Sequence, residues 1–248
     1  MADREVLDEA LKSVAEHLAT LAKDLSHPLR VAIDGISAAG KTTLARELTG
    51  RLHIAGAEAV HISFDDFTHH AERRRSDSNR ARGYYNDALN FNALAKYVLR
   101  PLGPGGEGRY LARYRNVLTD ELFPEQFESV EPGSVVLVDG SFLQNPALEG
   151  LFDQVIWLAA SFDAAEKRAI YRDKDLLGSE EKVKETYHER YHAAGQRYIE
   201  ECDPASKADL VIHNDDVLNP KLEWRNGGEK KTDGDGTEPL KPVDSGTA

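Results

Sequence analysis

Cysteine is almost absent: Cys202 is the only one in 248 residues. One thiol can neither close an intrachain disulfide nor supply a zinc cluster, which excludes a disulfide-stapled secreted scaffold. Long apolar runs are missing too. Stretches such as Val135–Val138 and Val155–Ala160 fall far short of the roughly 18 residues a membrane helix needs. The start, M-A-D-R-E-V-L-D-E-A, is acidic and lacks an apolar signal core, so a cytoplasmic protein with no membrane partner is expected. Positive charge is in deficit, with 31 Lys+Arg against 43 Asp+Glu and a net charge of −12. A surface of that sign repels nucleic acid, although one local pocket can still oppose it for a small phosphorylated ligand.

What is present is enough for a core, since 40% of residues are hydrophobic. Over residues 4–25, Val6, Leu7, Ala10, Leu11, Val14, Leu18, Leu21 and Leu25 recur at three- and four-residue steps. This predicts an amphipathic helix within residues 1–26 packed on the core. A dimer contact is the alternative, which leaves a homo-oligomer open. Short apolar strands then alternate with helical patterns. Strands are expected at Leu29–Ile33, Ala59–Ser63, Val135–Val138, Val155–Leu158 and Leu210–Ile212. Helices are expected at Lys41–Leu52, Phe91–Leu99, around Pro146–Leu151, at Ala164–Asp173 and at Val183–Glu200. That rhythm predicts an α/β fold, a mostly parallel sheet with helices on both faces, over residues 27–220. Residues 66–90 are polar and arginine-rich and 100–110 have a loop composition, so an insertion is placed at about 66–130. Residues 226–248 carry no aromatics and little to bury, and a disordered tail is expected there.

After the first strand comes Gly35-Ile36-Ser37-Ala38-Ala39-Gly40-Lys41-Thr42, a full match to G-x-x-x-x-G-K-S/T. Glycines let the backbone turn its N–H groups toward a phosphate, and the next helix presents its dipole-positive end. Gly35, Ser37, Ala38, Ala39, Gly40, Lys41, Thr42 and Thr43 are therefore the expected nucleotide-binding residues. Lys41 reaches the outer phosphates and Thr42 holds Mg²⁺. Val135-Val136-Leu137-Val138-Asp139 reads as the companion strand, ending in a carboxylate beside the Mg²⁺.

A GTPase switch needs D-x-x-G here, but Asp139-Gly140-Ser141-Phe142 has Phe in the last place. Ser206-Lys207-Ala208-Asp209 departs from the guanine-reading N-K-x-D and precedes a strand instead of following one. The second strand runs into Phe64-Asp65-Asp66-Phe67. A carboxylate at that strand end opens toward the γ-phosphate, where a small-molecule kinase needs a base for the acceptor hydroxyl. An Asp pair capping a loop is the alternative.

Several stretches together resemble the uridine kinase/phosphoribulokinase/pantothenate kinase group of P-loop kinases. They are G-I-S-A-A-G-K-T-T-L-A, I-S-F-D-D-F, Y-Y-N-D-A-L-N-F, V-V-L-V-D-G, the R-x-x-x-R-D helix and A-D-L-V-I, and uridine kinase-like proteins are the nearest. The resemblance implies a P-loop kinase fold with an acceptor-side insertion and an arginine lid at about 168–186. It implies Asp65 as catalytic base, Asp87 as the carboxylate that accepts from a ribose diol, and Arg168 and Arg172 as lid arginines over the phosphates. The alternative for that helix is a solvated face pairing with Glu166 or Asp173. It also implies ATP, Mg²⁺ and a small-molecule acceptor such as uridine. A pantothenate-like or sugar-phosphate acceptor, or a regulatory nucleotide-binding protein without an acceptor, are the alternatives.

The base-reading segment of uridine kinases maps to Arg113–Thr119. Tyr114 is kept, but Arg115 stands where the family has Asp, Asn116 replaces its second aromatic, and Thr119 replaces its His. Tyr114, Arg115 and, from the lid side, Arg197 complete the expected substrate contacts. Residues 72–115 hold ten Lys+Arg against four Asp+Glu, a local positive excess inside an acidic chain. Arg73, Arg74, Arg75, Arg80 and Arg82 read as a solvated loop or as partners of an anionic acceptor. His69-His70 read as exposed, Tyr187, Tyr191 and Tyr198 as packing residues, and Cys202 as a neutral thiol without a catalytic role.

Overall fold

The computed structural model describes residues 2–225, and the expected tail at 226–248 lies outside the described residues. The five expected strands all form: β1 (Leu29–Asp34), β2 (Ala59–Ser63), β5 (Val135–Gly140), β6 (Gln154–Ala159) and β7 (Leu210–His213). Three more are too short or too polar to show in the sequence. β3 (Arg109–Leu111) and β4 (Phe127–Ser129) make a separate antiparallel pair inside the insertion, and β8 (Lys221–Trp224) pairs antiparallel with β7. The boundary expected at residue 220 is thus corrected, since the sheet runs on through Trp224.

The main sheet has the order β2-β5-β1-β6-β7-β8, with every pairing parallel except that of β8. β1 and β5 are buried along their whole length, as two-sided coverage of a parallel sheet demands. α1 (Ala2–Lys23) lays Leu11, Val14, Ala15, Leu18, Ala19 and Ala22 into the core beside α2 (Lys41–Ile54). Of the predicted stripe, Leu11, Val14 and Leu18 are buried while Val6 is exposed, and Ala15, Ala19 and Ala22 complete the buried face. Because β5 lies between β2 and β1, the chain leaves β1 and returns two strands away. The carboxyl ends of β1, β2 and β5 then share one crevice, the usual position for a ligand on such sheets.

The insertion is more ordered than its composition suggests. It carries single-turn helices α3 (Ala71–Arg74), α4 (Arg80–Gly83) and α5 (Phe91–Leu94), with π-helical turns at Tyr84–Ala88 and Ala95–Leu99. Asn79 and Asn90 cap α4 and α5 through their side chains, which is how polar residues stabilise short helices. Helix α6 (Phe162–Leu177) is capped by Ser161 and ends at Gly178 with φ 96°, a left-handed C-cap that glycine takes without strain. The chain turns back through α7 (Glu180–Thr186), a π-helical turn at Tyr187–His192 and α8 (Ala193–Cys202). A last short helix, α9 (Pro204–Lys207), leads to β7.

Candidate active site

The phosphate loop links the end of β1 to the start of α2. Two of its residues, Ala38 (φ 62°) and Gly40 (φ 106°), hold the left-handed conformation. Ala38 does so without glycine's freedom, a mark of strain kept for function. Lys41 is nearly buried; its ammonium donates to Ile36 O at 2.8 Å and to Ser141 Oγ at 3.3 Å. Burial pushes its pKa down, against the opposing charges of Asp65, Asp139 and Asp34.

Thr42 Oγ1 donates to Asp139 Oδ2 at 2.6 Å, so the two expected metal ligands meet across α2 and β5. The other oxygen of Asp139 lies 2.6 Å from His61 Nε2 on β2. Burial would raise the pKa of Asp139, but the hydrogen bonds from His61 and Thr42, with the His61 and Lys41 charges, outweigh it and hold the carboxyl low. An ionised carboxylate beside a threonine hydroxyl is a hard oxygen donor set, which fits Mg²⁺.

Asp65 sits just beyond β2 in a 3₁₀ turn, Phe64–Asp66. Its side chain is exposed and lines a cavity of about 320 Å³ with Ser37, Lys41, Thr42, Asp139 and Arg172, among others. Desolvation by the surrounding cavity walls pushes its pKa up. Asp139 and Asp66 add to the rise, while Lys41 and Arg172 oppose it. The far wall carries Thr68, Arg74, Tyr84, Tyr187 and Tyr191. Tyr84 hydrogen-bonds Ser37 and Ser141, and burial raises its pKa.

Beneath the loop, Asp34 is fully buried at the end of β1. It accepts from Tyr198 Oη at 2.5 Å, Gly35 N at 2.8 Å and Gln144 Nε2 at 3.3 Å. Burial raises its pKa despite these bonds and the nearby Lys41 charge. Tyr198 is therefore both a packing residue and a tether between α8 and the loop.

A second cavity of about 720 Å³ opens on the other side of the loop. It shares Ala38, Gly40, Thr43 and Arg172 with the first. Leu7 and Leu11 of α1, Leu44 of α2, Leu158 and Ile212 of the sheet, and Val217 and Leu218 beyond β7 make it mostly apolar. Arg168 lines this cavity and not the first. Its guanidinium donates to Ala39 O at 3.0 Å, to Asp215 O at 3.1 Å and to Asn214 O. The two arginines expected in a lid thus line different places. Arg172 faces both cavities, and it is held by Asp173 at 2.7 and 2.9 Å and by Tyr187 Oη at 2.9 Å.

The structure brings together the loop residues, Asp65, Asp139 and Arg172. None of the four expected substrate contacts, Asp87, Tyr114, Arg115 and Arg197, lines the first cavity. Asp87 is half-buried and accepts from Arg73 Nε at 3.1 Å. Tyr114 is stacked between Phe67 and Tyr97, with ring centroids 6.2 and 5.5 Å away. Arg115 points back into its own hairpin, donating to Asp120 O at 2.5 Å. Arg197 pairs with Glu201 at 2.7 Å and lies over the Tyr85 ring. Of the loop arginines, Arg73, Arg74, Arg80 and Arg82 each meet a carboxylate, and only Arg74 lines the cavity. His61, Ser141, Thr68 and Tyr84 are the residues that reading the sequence missed. His61 carried a signal, two positions before the strand end on the strand that delivers Asp65.

A parallel sheet with a phosphate loop after its first strand, and carboxylates at two neighbouring strand ends, defines a P-loop kinase. A sequence model of the Phosphoribulokinase / Uridine kinase family matches residues 31–217, and the chain belongs to that family. It is 29% identical over 154 residues to the uridine kinase of Leuconostoc citreum (strain KM20), covering 61% of this chain and 71% of that protein. A solved structure described as a possible uridine kinase from Bacillus stearothermophilus superposes with a TM-score of 0.63 at 21% identity. The match spans 85% of this chain and 99% of that one. D-glycerate 3-kinase from Cryptococcus neoformans superposes with a TM-score of 0.59 at 13% identity, over 86% of this chain and 99% of its own. These two share the fold. Among the described residues no helix is long and apolar enough to cross a membrane.

Proposed function

We propose that the chain is an ATP-dependent kinase that moves the γ-phosphoryl group to a hydroxyl of a small polar metabolite. The observation that carries this reading is Asp65, a carboxylate sharing one cavity with Lys41, Arg172 and the Thr42–Asp139 pair. The loop N–H groups and Lys41 cradle the phosphates, and the apolar second cavity takes the nucleotide base. Bound to Thr42 and Asp139, Mg²⁺ would neutralise charge on the phosphate oxygens. Asp65 accepts the hydroxyl proton as that oxygen bonds to the γ-phosphorus. The bridging P–O bond breaks, and its electron pair leaves with ADP. Lys41 and Arg172 oppose the negative charge spread over the transferring group.

A nucleoside such as uridine is the acceptor suggested by the curated relative, with Asp87 as the diol contact. A second reading, an acceptor carrying a carboxylate or phosphate, has its own support. Arg74 lines the cavity, and its Nε and Thr68 Oγ1 are buried there without partners. Asp120 is shared between Arg74 at 3.1 Å and Arg115 at 4.0 Å, which leaves one positive charge over. Asp87, in turn, is already engaged by Arg73. ADP release measured over nucleosides, pantothenate and sugar phosphates tests both readings. Turnover stimulated by uridine supports the first, and stimulation by anionic acceptors alone supports the second. ATP binding with no stimulation by any of them would favour a regulatory protein.

A further inference from the structure

The two arms of the lid carry a cluster that the phosphoryl-transfer chemistry does not use. Glu166 lies on α6, while His188 and His192 sit four residues apart on the π-helical turn after α7. Each offers one ligand atom, and the three atoms lie within 4.8 Å of one another. His188 Nε2 stands 2.7 Å from Glu166 Oε2. His192 Nε2 is buried and has no hydrogen-bond partner. A buried nitrogen left in that state is costly, and such a group usually marks an ion or water that belongs beside it.

We propose that Glu166, His188 and His192 form a binding site for a zinc-type divalent cation that ties α6 to the 187–192 turn. Two imidazoles and a carboxylate are a borderline-soft donor set, suited to Zn²⁺ and poor for Mg²⁺, which prefers oxygen alone. The metal therefore differs in kind from the one suited to Thr42 and Asp139. Zn–N and Zn–O bonds of about 2.0–2.2 Å place tetrahedral donors roughly 3.3 Å apart, so the closest pair must open slightly and the widest must close. The ring of His188 is mostly exposed and free to make that adjustment. Burial lowers the pKa of His192, helped by the His188 charge and opposed by Glu166 and Asp163. Water fills the fourth position.

The position gives the site a consequence. Glu166 precedes Arg168 by two residues on α6, and His188 follows Tyr187, whose hydroxyl holds Arg172. An ion there would fasten the arm that carries both lid arginines to the arm whose Tyr187 holds Arg172.

The test is calorimetric titration of ZnCl₂ into the chelator-treated full chain, with Mg²⁺ in excess to occupy oxygen sites. Thermal melting and Co²⁺ substitution accompany it. The expected result is one Zn²⁺ per chain, a raised Tm, and a visible Co²⁺ absorption of tetrahedral type. His188→Ala, which changes an exposed ring, should weaken Zn²⁺ at least about tenfold and abolish the Tm rise; His192→Ala should do the same. No saturable Zn²⁺ binding to the unaltered chain would overturn the proposal. So would binding that persists unchanged in a folded His188→Ala variant. None of these readouts depends on kinase activity.

Discussion

His61 Nε2 and Asp139 Oδ1 lie 2.6 Å apart on adjacent parallel strands. In the β2–β5 register His61 pairs with Leu137, so Asp139 is the next residue along on the same face. This imidazole and Thr42 fix both oxygens of the carboxylate, and the oxygens cannot turn away from the phosphate loop. His61→Ala should leave Asp139 free to rotate and raise the Mg²⁺ concentration needed for half-maximal turnover by about 10-fold or more. Its kcat at saturating Mg²⁺ should fall much less. A Mg²⁺ titration of the rate checks the split.

Asp65→Asn should cut kcat by about 10²–10⁴-fold, the usual range for loss of a general base. ATP affinity, measured by calorimetry, should change little. Burial and the Asp139 and Asp66 charges raise the Asp65 pKa, so its ionised form is disfavoured in the folded protein. The base must be ionised to act. Activity should therefore fall as pH drops through an inflection above the ordinary carboxylate value of about 3.9. The same raised pKa makes Asp65 a burden on folding once it ionises, an effect that grows as pH rises past the unfolded value. Asp65→Asn should accordingly raise Tm at neutral pH while it abolishes turnover.

If the apolar second cavity takes the nucleotide base, α1 is part of the nucleotide site. Leu218→Asp alters an exposed residue on that cavity's wall, and Leu7→Asp does so from α1. Each should weaken ATP by about 10-fold, since placing a carboxylate where an apolar ring sits costs about 1–3 kcal/mol. Tripolyphosphate, which has no base, should bind as before. Calorimetric titration with the two ligands separates the base site from the phosphate loop.

Arg74→Ala removes the cavity's acceptor-side guanidinium. If the acceptor is anionic, its KM should rise about 10–100-fold, in line with a charge-assisted hydrogen bond of about 1.5–3 kcal/mol. The KM for ATP should hold. Steady-state kinetics with each acceptor as the varied substrate reads the effect.

Gly140 ends β5 against β2, where an added Cβ would stand 2.5 Å from Phe64 Cβ. Gly140→Ala should destabilise the fold by about 1–3 kcal/mol, measured by urea unfolding. It should also slow turnover, because Phe64 directly precedes Asp65.

The parts of the site that lie in contiguous motifs were legible in the sequence. Gly35–Thr42, Asp65 and Asp139 each sit at a strand end that hydrophobic patterning locates. Ser141, Thr68 and Tyr84 reach the cavity only through packing of distant segments, and no local pattern marks them; His61 meets Asp139 across the sheet, a pairing that only the strand order brings about. Arg115 and Arg197 were placed on the substrate side by resemblance. Their own neighbours, Asp120 and Glu201, compete for the guanidinium and hold it elsewhere. β3, β4 and β8 escaped because three- and four-residue strands are too short to display a period. The long helix expected at Val183–Glu200 does form, but with a π-helical turn at Tyr187–His192 that local propensity does not signal.

The central claim, transfer of the γ-phosphoryl to a hydroxyl activated by Asp65, is tested most directly by following the phosphoryl group itself. ³¹P NMR of the full chain with ATP, Mg²⁺ and each acceptor should show a phosphomonoester resonance growing in step with ADP for at least one acceptor. Asp65→Asn, still binding ATP, should show neither signal. Inorganic phosphate as the sole product with every acceptor, or a phosphomonoester formed equally fast by Asp65→Asn, would contradict the account.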